Sequence, residues 1–210
     1  MAYIEIQNAV KQFKETRALD GIALSLEKGK IHGIIGRNGS GKTVLMKCIC
    51  GFMELTAGAI MVDGKKIVPS RAQNMGIIIE SPGFIGSESG LKNLQHLAAL
   101  NRKIKKEQAA AVMKKVGLDP SSKKPVRKYS MGMRQRLGIA QAIMEDPPLL
   151  ILDEPMNGLD NQGVADVREI LMELRNQGKT ILLASHNRED IAVLCDTVCE
   201  LDHGKIIKQY

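Results

Sequence analysis

The chain has 210 residues, 44% of them hydrophobic, enough to bury one sizeable core or one core carrying an inserted subdomain. A formal charge of +7 and a pI of 9.2 point to nucleic acid, anionic phospholipid or a phosphate-bearing small molecule as partners. No run approaches bilayer-spanning length, and Met1-Ala2-Tyr3-Ile4-Glu5-Ile6 carries an acid where a secretory signal would be basic and then apolar, so neither membrane spanning nor export is expected.

Residues 2–80 read as strand-rich, with strands expected over Tyr3–Ile6, Ile22–Leu26, Ile31–Ile35, Ala59–Val62 and Gly76–Ile79. One helix interrupts them, since Met46, Ile49, Cys50 and Met53 recur at helical spacing. Between the third strand and that helix, Gly36-Arg37-Asn38-Gly39-Ser40-Gly41-Lys42-Thr43 fits G-x-x-x-x-G-K-[ST] in the strand-to-helix context this pattern requires. Successive backbone N–H groups of such a loop wrap a polyphosphate, the glycines permit close approach, and the positive end of the helix dipole faces the anion. Lys42 supplies a point charge to the outer phosphates, and the Thr43 hydroxyl is a hard oxygen ligand suited to Mg²⁺. A nucleoside triphosphate is the expected ligand; the strand and helix on either side weigh against a chance glycine-rich turn.

Leu91, Leu94 and Ala98, then Ala109, Met113 and Val116 with Gly117 as a stop, predict two helices between about 88 and 118. The order of elements thus places a helical subdomain inside an α/β core. Tyr129-Ser130-Met131-Gly132-Met133-Arg134-Gln135-Arg136 opens a further helix, with Met133, Leu137, Ala140 and Met144 on its apolar face and Ser130 as N-cap. An ordinary capped helix and a second anion-binding helix N-terminus fit that local pattern equally well.

Leu149-Leu150-Ile151-Leu152-Asp153-Glu154 is a continuous apolar run ending in two carboxylates. It reads as a strand buried on both faces, whose acids emerge at the carboxyl edge of a parallel sheet, where open α/β folds bind ligands. Asp153 would hold Mg²⁺ directly or through water, and Glu154 would sit beside the γ-phosphate to orient or deprotonate an attacking water. An acidic helix cap is the rival reading, which the phosphate loop upstream disfavours. Thr180–Ala184 forms another strand, and Thr197–Leu201, Asp202-His203-Gly204 and Lys205–Ile207 a hairpin.

Cys48, Cys50, Cys195 and Cys199 read as buried reduced thiols, because the first pair points apart on one helix and the hairpin argues against a helical second pair. The densest basic cluster, Lys123, Lys124, Arg127 and Lys128, adjoins only Tyr129, and aromatics are 3% of the chain. That leaves too few stacking platforms for a single-strand binder, so a solvated basic face is expected and nucleic acid is not.

The order of these motifs is recognisable. The phosphate loop, the serine-glycine helix start with Arg134-Gln135-Arg136, Leu152-Asp153-Glu154-Pro155, Asn157-Gly158-Leu159-Asp160, and Ser185-His186 after a strand resemble the ATP-binding cassette family of transporter ATPases over nearly the whole chain. The run from Tyr129 to Arg136 is similar in particular to ATPase subunits of bacterial exporters for bacitracin-like and lantibiotic peptides. The resemblance implies an α/β fold: a P-loop NTPase core with a mainly parallel sheet, an antiparallel β subdomain and an inserted helical subdomain. It implies a single nucleotide-binding domain over 1–210, with 1–83 and 129–210 as core and 84–128 as the helical part.

It also implies ATP hydrolysis with ATP and Mg²⁺. The catalytic candidates are Glu154 and the switch histidine His186. Phe13 would stack on adenine, Gly36, Asn38, Gly39, Ser40, Gly41, Lys42, Thr43 and Val44 would bind the nucleotide, and Thr43, Glu80 and Asp153 would surround the metal. A head-to-tail dimer of nucleotide-binding domains, identical or not, is implied, with Ser130, Met131 and Gly132 completing the partner's site and Asp160 as the D-loop acid. The resemblance places the dimer on the cytoplasmic face of the cell membrane, attached through an integral permease subunit. Met131 and Met133 stand where the commonest signature has Gly and Gln, and Glu80 stands where most of the family has glutamine, as it does in the exporter subgroup. A soluble cassette ATPase of translation or DNA repair is the alternative, opposed by the single cassette and the lack of a heptad array. A P-loop kinase would leave the signature and switch histidine unexplained.

Overall fold

The computed structural model describes residues 2–68, 74–101 and 104–210. Met1 in the start discussed above, and 102–103 in the helical region expected over 88–118, lie outside them. The chain begins with a long antiparallel pair, β1 (Ala2–Phe13) and β2 (Thr16–Glu27). Both run well past the expected Tyr3–Ile6 and Ile22–Leu26. Register shifts after Ile6, with Asn8 at φ 45°, break the alternation that marks a strand in sequence. β3 (Ile31–Ile35) leads to α1 (Lys42–Ile49), followed by β4 (Ala57–Val62), the two-residue β5 (Lys65–Lys66) and β6 (Met75–Ile78). α1 stops at Ile49, because Cys50 caps it and Gly51 turns out at φ 73°; Met53, read as a helical position, lies beyond the helix.

The next segment is helical: α2 (Gly90–Asn101), α3 (Lys106–Lys115), a 3₁₀ turn over Val126–Lys128 and α4 (Met131–Ile143). Gly117 stops α3 as expected, with its own N–H on the Lys114 carbonyl at 2.9 Å and the Leu118 N–H on the Met113 carbonyl at 2.9 Å. β7 (Leu149–Asp153), α5 (Asn161–Asn176), β8 (Thr180–Ala184), α6 (Arg188–Leu194), β9 (Thr197–Asp202) and β10 (Lys205–Gln209) complete the chain, the last two strands forming the expected hairpin.

Two sheets result. One is antiparallel, in the order β2-β1-β4-β5; the other runs β10-β9-β3-β8-β7-β6, parallel except for its β10 edge. The larger sheet is the middle layer, and period-2 alternation divides its side chains between two cores. Leu150 and Leu152 of β7 and Ile181 and Leu183 of β8 pack with Leu137 of α4 and Val167 and Leu171 of α5. Leu149 and Ile151, with Leu182 and Ala184, face the other way, against Leu45 and Met46 of α1 and Ile4 and Leu19 of the antiparallel sheet. Burial on both faces is why these strands are unbroken apolar runs.

All four cysteines are free, and burial pushes the Cys48 thiol up to about 11 and those of Cys50, Cys195 and Cys199 to about 12. Lys123, Lys124, Arg127 and Lys128 are on the surface while Tyr129 is buried, so the basic cluster is a solvated face with no ring to offer a base. No helix among the described residues is long and apolar enough to cross a membrane.

His32 on β3 is buried, with Nε2–H donating to the Glu27 carbonyl at 2.8 Å and Nδ1 meeting the Thr197 hydroxyl at 2.7 Å. Burial lowers its pKa from the ordinary 6.5; Lys30 adds to the shift, and Glu27 and Asp196 oppose it. The unfolded chain therefore takes up this proton before the folded one, so the stability His32 contributes is present above its ordinary pKa of 6.5 and is lost as pH drops below it. Thermal melting followed from about pH 7.5 to about pH 5.5 should show a falling midpoint, with the slope reduced in His32→Asn. An equal slope in the variant would reassign the effect.

Candidate active site

Gly36 to Thr43 carries the chain from the carboxyl end of β3 into α1. Gly41, the N-cap of that helix, has φ 108°, and a β-carbon there would stand 2.6 Å from the Ala18 carbonyl, so only glycine fits. No side chain caps α1 and no acid lies in its first turn, which leaves the N–H groups at its start available to an anion. The Ser40 hydroxyl is buried with no hydrogen-bond partner among the described residues. Lys42 is 8% exposed and its ammonium donates to the carbonyls of Gly36 at 2.7 Å and Arg37 at 3.2 Å. An unpaired hydroxyl, unspent backbone donors and a cation folded over the loop together suit a polyphosphate.

The second half of the site leaves the same sheet edge two strands away. The Thr43 hydroxyl donates to Asp153 Oδ2 at 2.7 Å, joining the start of α1 to the end of β7. Glu154 follows in a left-handed turn at φ 50°, held by its N–H on the Ala184 carbonyl at 2.9 Å. That turn brings Glu154 Oε2 to 2.8 Å from Nδ1 of His186, which leaves β8. Residues 32 apart in sequence thus make one acid–imidazole pair. Gln135, quoted in the sequence motif without a role, donates from Nε2 to the carbonyls of Glu154 at 3.3 Å and Pro155 at 2.9 Å, tying α4 to the turn that aims Glu154.

The candidates are not all in one place. Ser130 caps α4 by accepting from the Met133 N–H at 3.2 Å, as expected. Met131 is exposed and lies against Gly158, while Asp160 caps α5 through the Gly163 N–H at 2.9 Å. Ser130, Met131, Gly132, Gly158 and Asp160 line an open groove of about 710 Å³ that no residue of the phosphate loop lines. Arg136 backs this groove, donating to the Val116 carbonyl and to Asp166, both at 2.9 Å. Phe13, 44% exposed at the end of β1, has the Lys11 ammonium 5.0 Å from its ring centroid. Asn38 and Gly39 are exposed, whereas the partly buried Val44 side chain packs against the core. Glu80, the third of the expected metal trio, has its carboxylate bonded to Lys47 at 2.7 Å.

The family model described as ABC transporter matches residues 19–157, more than half of the chain. The chain belongs to the ABC transporter family. This ABC transporter ATPase is 40% identical to the bacitracin transport ATP-binding protein BcrA of Enterococcus faecalis over 210 residues, covering 98% of this chain and 68% of the relative. Identity to the lantibiotic transport ATP-binding protein SrtF of Streptococcus pyogenes is 35% over 209 residues, covering 99% and 91%. The likeness read from the Tyr129–Arg136 run is thereby borne out. A dimeric ATP-binding cassette solved in a post-hydrolysis state with ADP and Pi superposes with a TM-score of 0.90 at 20% identity, covering 99% of this chain and 97% of the other. At that identity the match shows the fold alone, and it is the expected P-loop NTPase fold. The cassette binds nucleotide and hydrolyses ATP in the service of transport.

Proposed function

We propose that this cassette, docked on the inner face of the cell membrane through a separate permease, powers export of a peptide antibiotic of the bacitracin or lantibiotic kind. The observation that carries the reading is the meeting of phosphate loop, Asp153, Glu154 and His186 at adjoining strand ends, in a chain akin to BcrA and SrtF. In this reading Gly36, Asn38, Gly39, Ser40, Gly41 and Val44 offer donors to the phosphates, and the Lys42 ammonium leaves its loop carbonyls for the outer phosphates. Thr43 and Asp153, hard oxygens already in contact, would hold Mg²⁺, which would supply neutralisation of phosphate charge. Glu154 orients the attacking water and accepts its proton, while His186 fixes the carboxylate's position.

The helix start at Ser130 and Gly132 serves a second copy or a related cassette, since its groove shares no lining with the phosphate loop. Two cassettes head to tail would each complete the other's site, closing on ATP and reopening after hydrolysis. Each cassette in this reading is a core (1–83, 129–210) carrying a helical part (84–128). Purification of the tagged chain from detergent-solubilised membranes should bring down an integral subunit that stimulates its ATPase. Recovery without any such subunit would overturn the transport reading. Phe13→Ala should weaken ATP binding by ~1–3 kcal/mol, the value of one aromatic stack; equal affinity in calorimetry would remove Phe13 from the site.

A further inference from the structure

Two polar rungs join α1 to the carboxyl edge of the parallel sheet. One is Thr43 to Asp153 and the other Lys47 to Glu80, both at 2.7 Å. Thr43 and Lys47 are four residues apart in one helix, hence on the same face and about 6 Å apart along its axis. Their partners leave adjacent strands: Ile78 pairs with Leu152, and Asp153 and Glu80 follow one and two residues later. Strands lie about 4.8 Å apart, so Glu80 stands one strand and one helical turn from the Thr43–Asp153 pair. Its φ of 61° turns the backbone at this point. Glu80 is 66% exposed at its side chain against 27% for Lys47, so the cation is the anchored member of the pair.

We infer that Lys47 is the positioning residue of Glu80: it holds this carboxylate away from the triphosphate and neutralises its charge until the metal–nucleotide complex arrives. The inference rests on the nucleotide reading of the site. A glutamate in this place sets a negative charge beside a polyanion, a penalty glutamine does not incur. The Lys47 bond offsets that penalty in the protein without metal, and travel across one strand and one helical turn would bring Glu80 from Lys47 to the Thr43–Asp153 oxygens. Lys47 had no role in the motif reading, yet it lies four residues from Thr43, the spacing that puts both on one face.

The test is a double-mutant cycle read by calorimetric binding of ATP in EDTA and again with Mg²⁺, on parent, Lys47→Met, Glu80→Gln, the double variant and Lys47→Arg. Lys47→Met should weaken metal-free ATP binding about fivefold, a modest factor because the pair is partly solvated. Glu80→Gln should tighten it by about twofold, and adding Lys47→Met to Glu80→Gln should change little further. Lys47→Arg should stay near the parent, and Mg²⁺ should improve affinity more in Lys47→Met than in Glu80→Gln. Additive effects of the two substitutions would overturn the inference, since Lys47 would then act on phosphate by itself. Failure of the parent to bind ATP with Mg²⁺ would instead bring down the nucleotide reading.

Discussion

Glu154→Gln is expected to lower ATP turnover by ~10² to 10⁴ while leaving ATP affinity close to that of the parent. The amide is the same size as the carboxylate and keeps an oxygen for the His186 ring, which lies 2.8 Å from Oε2. It cannot accept a proton from water, and that loss falls on the chemical step. Binding is spared because the groups assigned to phosphate, Lys42 and the loop donors, belong to a different strand end. Phosphate release measured beside equilibrium ATP binding separates the two. Hydrolysis at the parent rate would remove Glu154 from catalysis.

Lys42→Ala should fail earlier, at binding. Lys42 is buried, and its ammonium folds onto the loop, 2.7 Å from the Gly36 carbonyl. Loss of a charged hydrogen bond of ~1.5–3 kcal/mol corresponds to roughly ten- to 150-fold in ATP affinity, with turnover falling at least as far. The Lys42→Ala chain should still fold, because α1 keeps Leu45, Met46 and Ile49 in the core. Calorimetry with ATP, on protein shown folded by circular dichroism, checks this; unchanged affinity would sink the phosphate-loop assignment.

The parts legible in sequence were those whose physics is local. Leu149 to Leu152 could be read as a central strand because burial on both faces removes polar residues from the run, and Gly117 as a helix stop because only its backbone conformation was at issue. The start of β2 and the end of β1 were not legible, since register shifts around Asn8 and Ala9 spoil the alternation. Met53 kept helical spacing after Gly51 had already ended α1. In the site, Lys42, Thr43, Asp153 and Glu154 announced themselves in short motifs. The pairings that aim them did not: Glu154 with His186, Glu80 with Lys47 and Gln135 with the Pro155 carbonyl each join residues at least 20 apart, and only the strand order brings them together. Ser130 illustrates an intermediate case. Its capping bond was predictable from residue type and its assignment to a partner's site came from the resemblance, whereas the groove it lines required the fold.

The separation of that groove from the phosphate loop gives the proposed pairing its most direct test, because a groove completed by a second cassette must assemble with one. The Glu154→Gln chain, which should hold ATP without consuming it, is the material for the test. With a second copy of this chain as the partner, light scattering on the 23.0 kDa chain should give the monomer mass without nucleotide and about twice that mass with saturating ATP. The further substitution Ser130→Arg should abolish the doubling without loss of ATP binding. A monomer mass for the Glu154→Gln chain with ATP demonstrably bound would contradict completion of the site by a second copy of this chain.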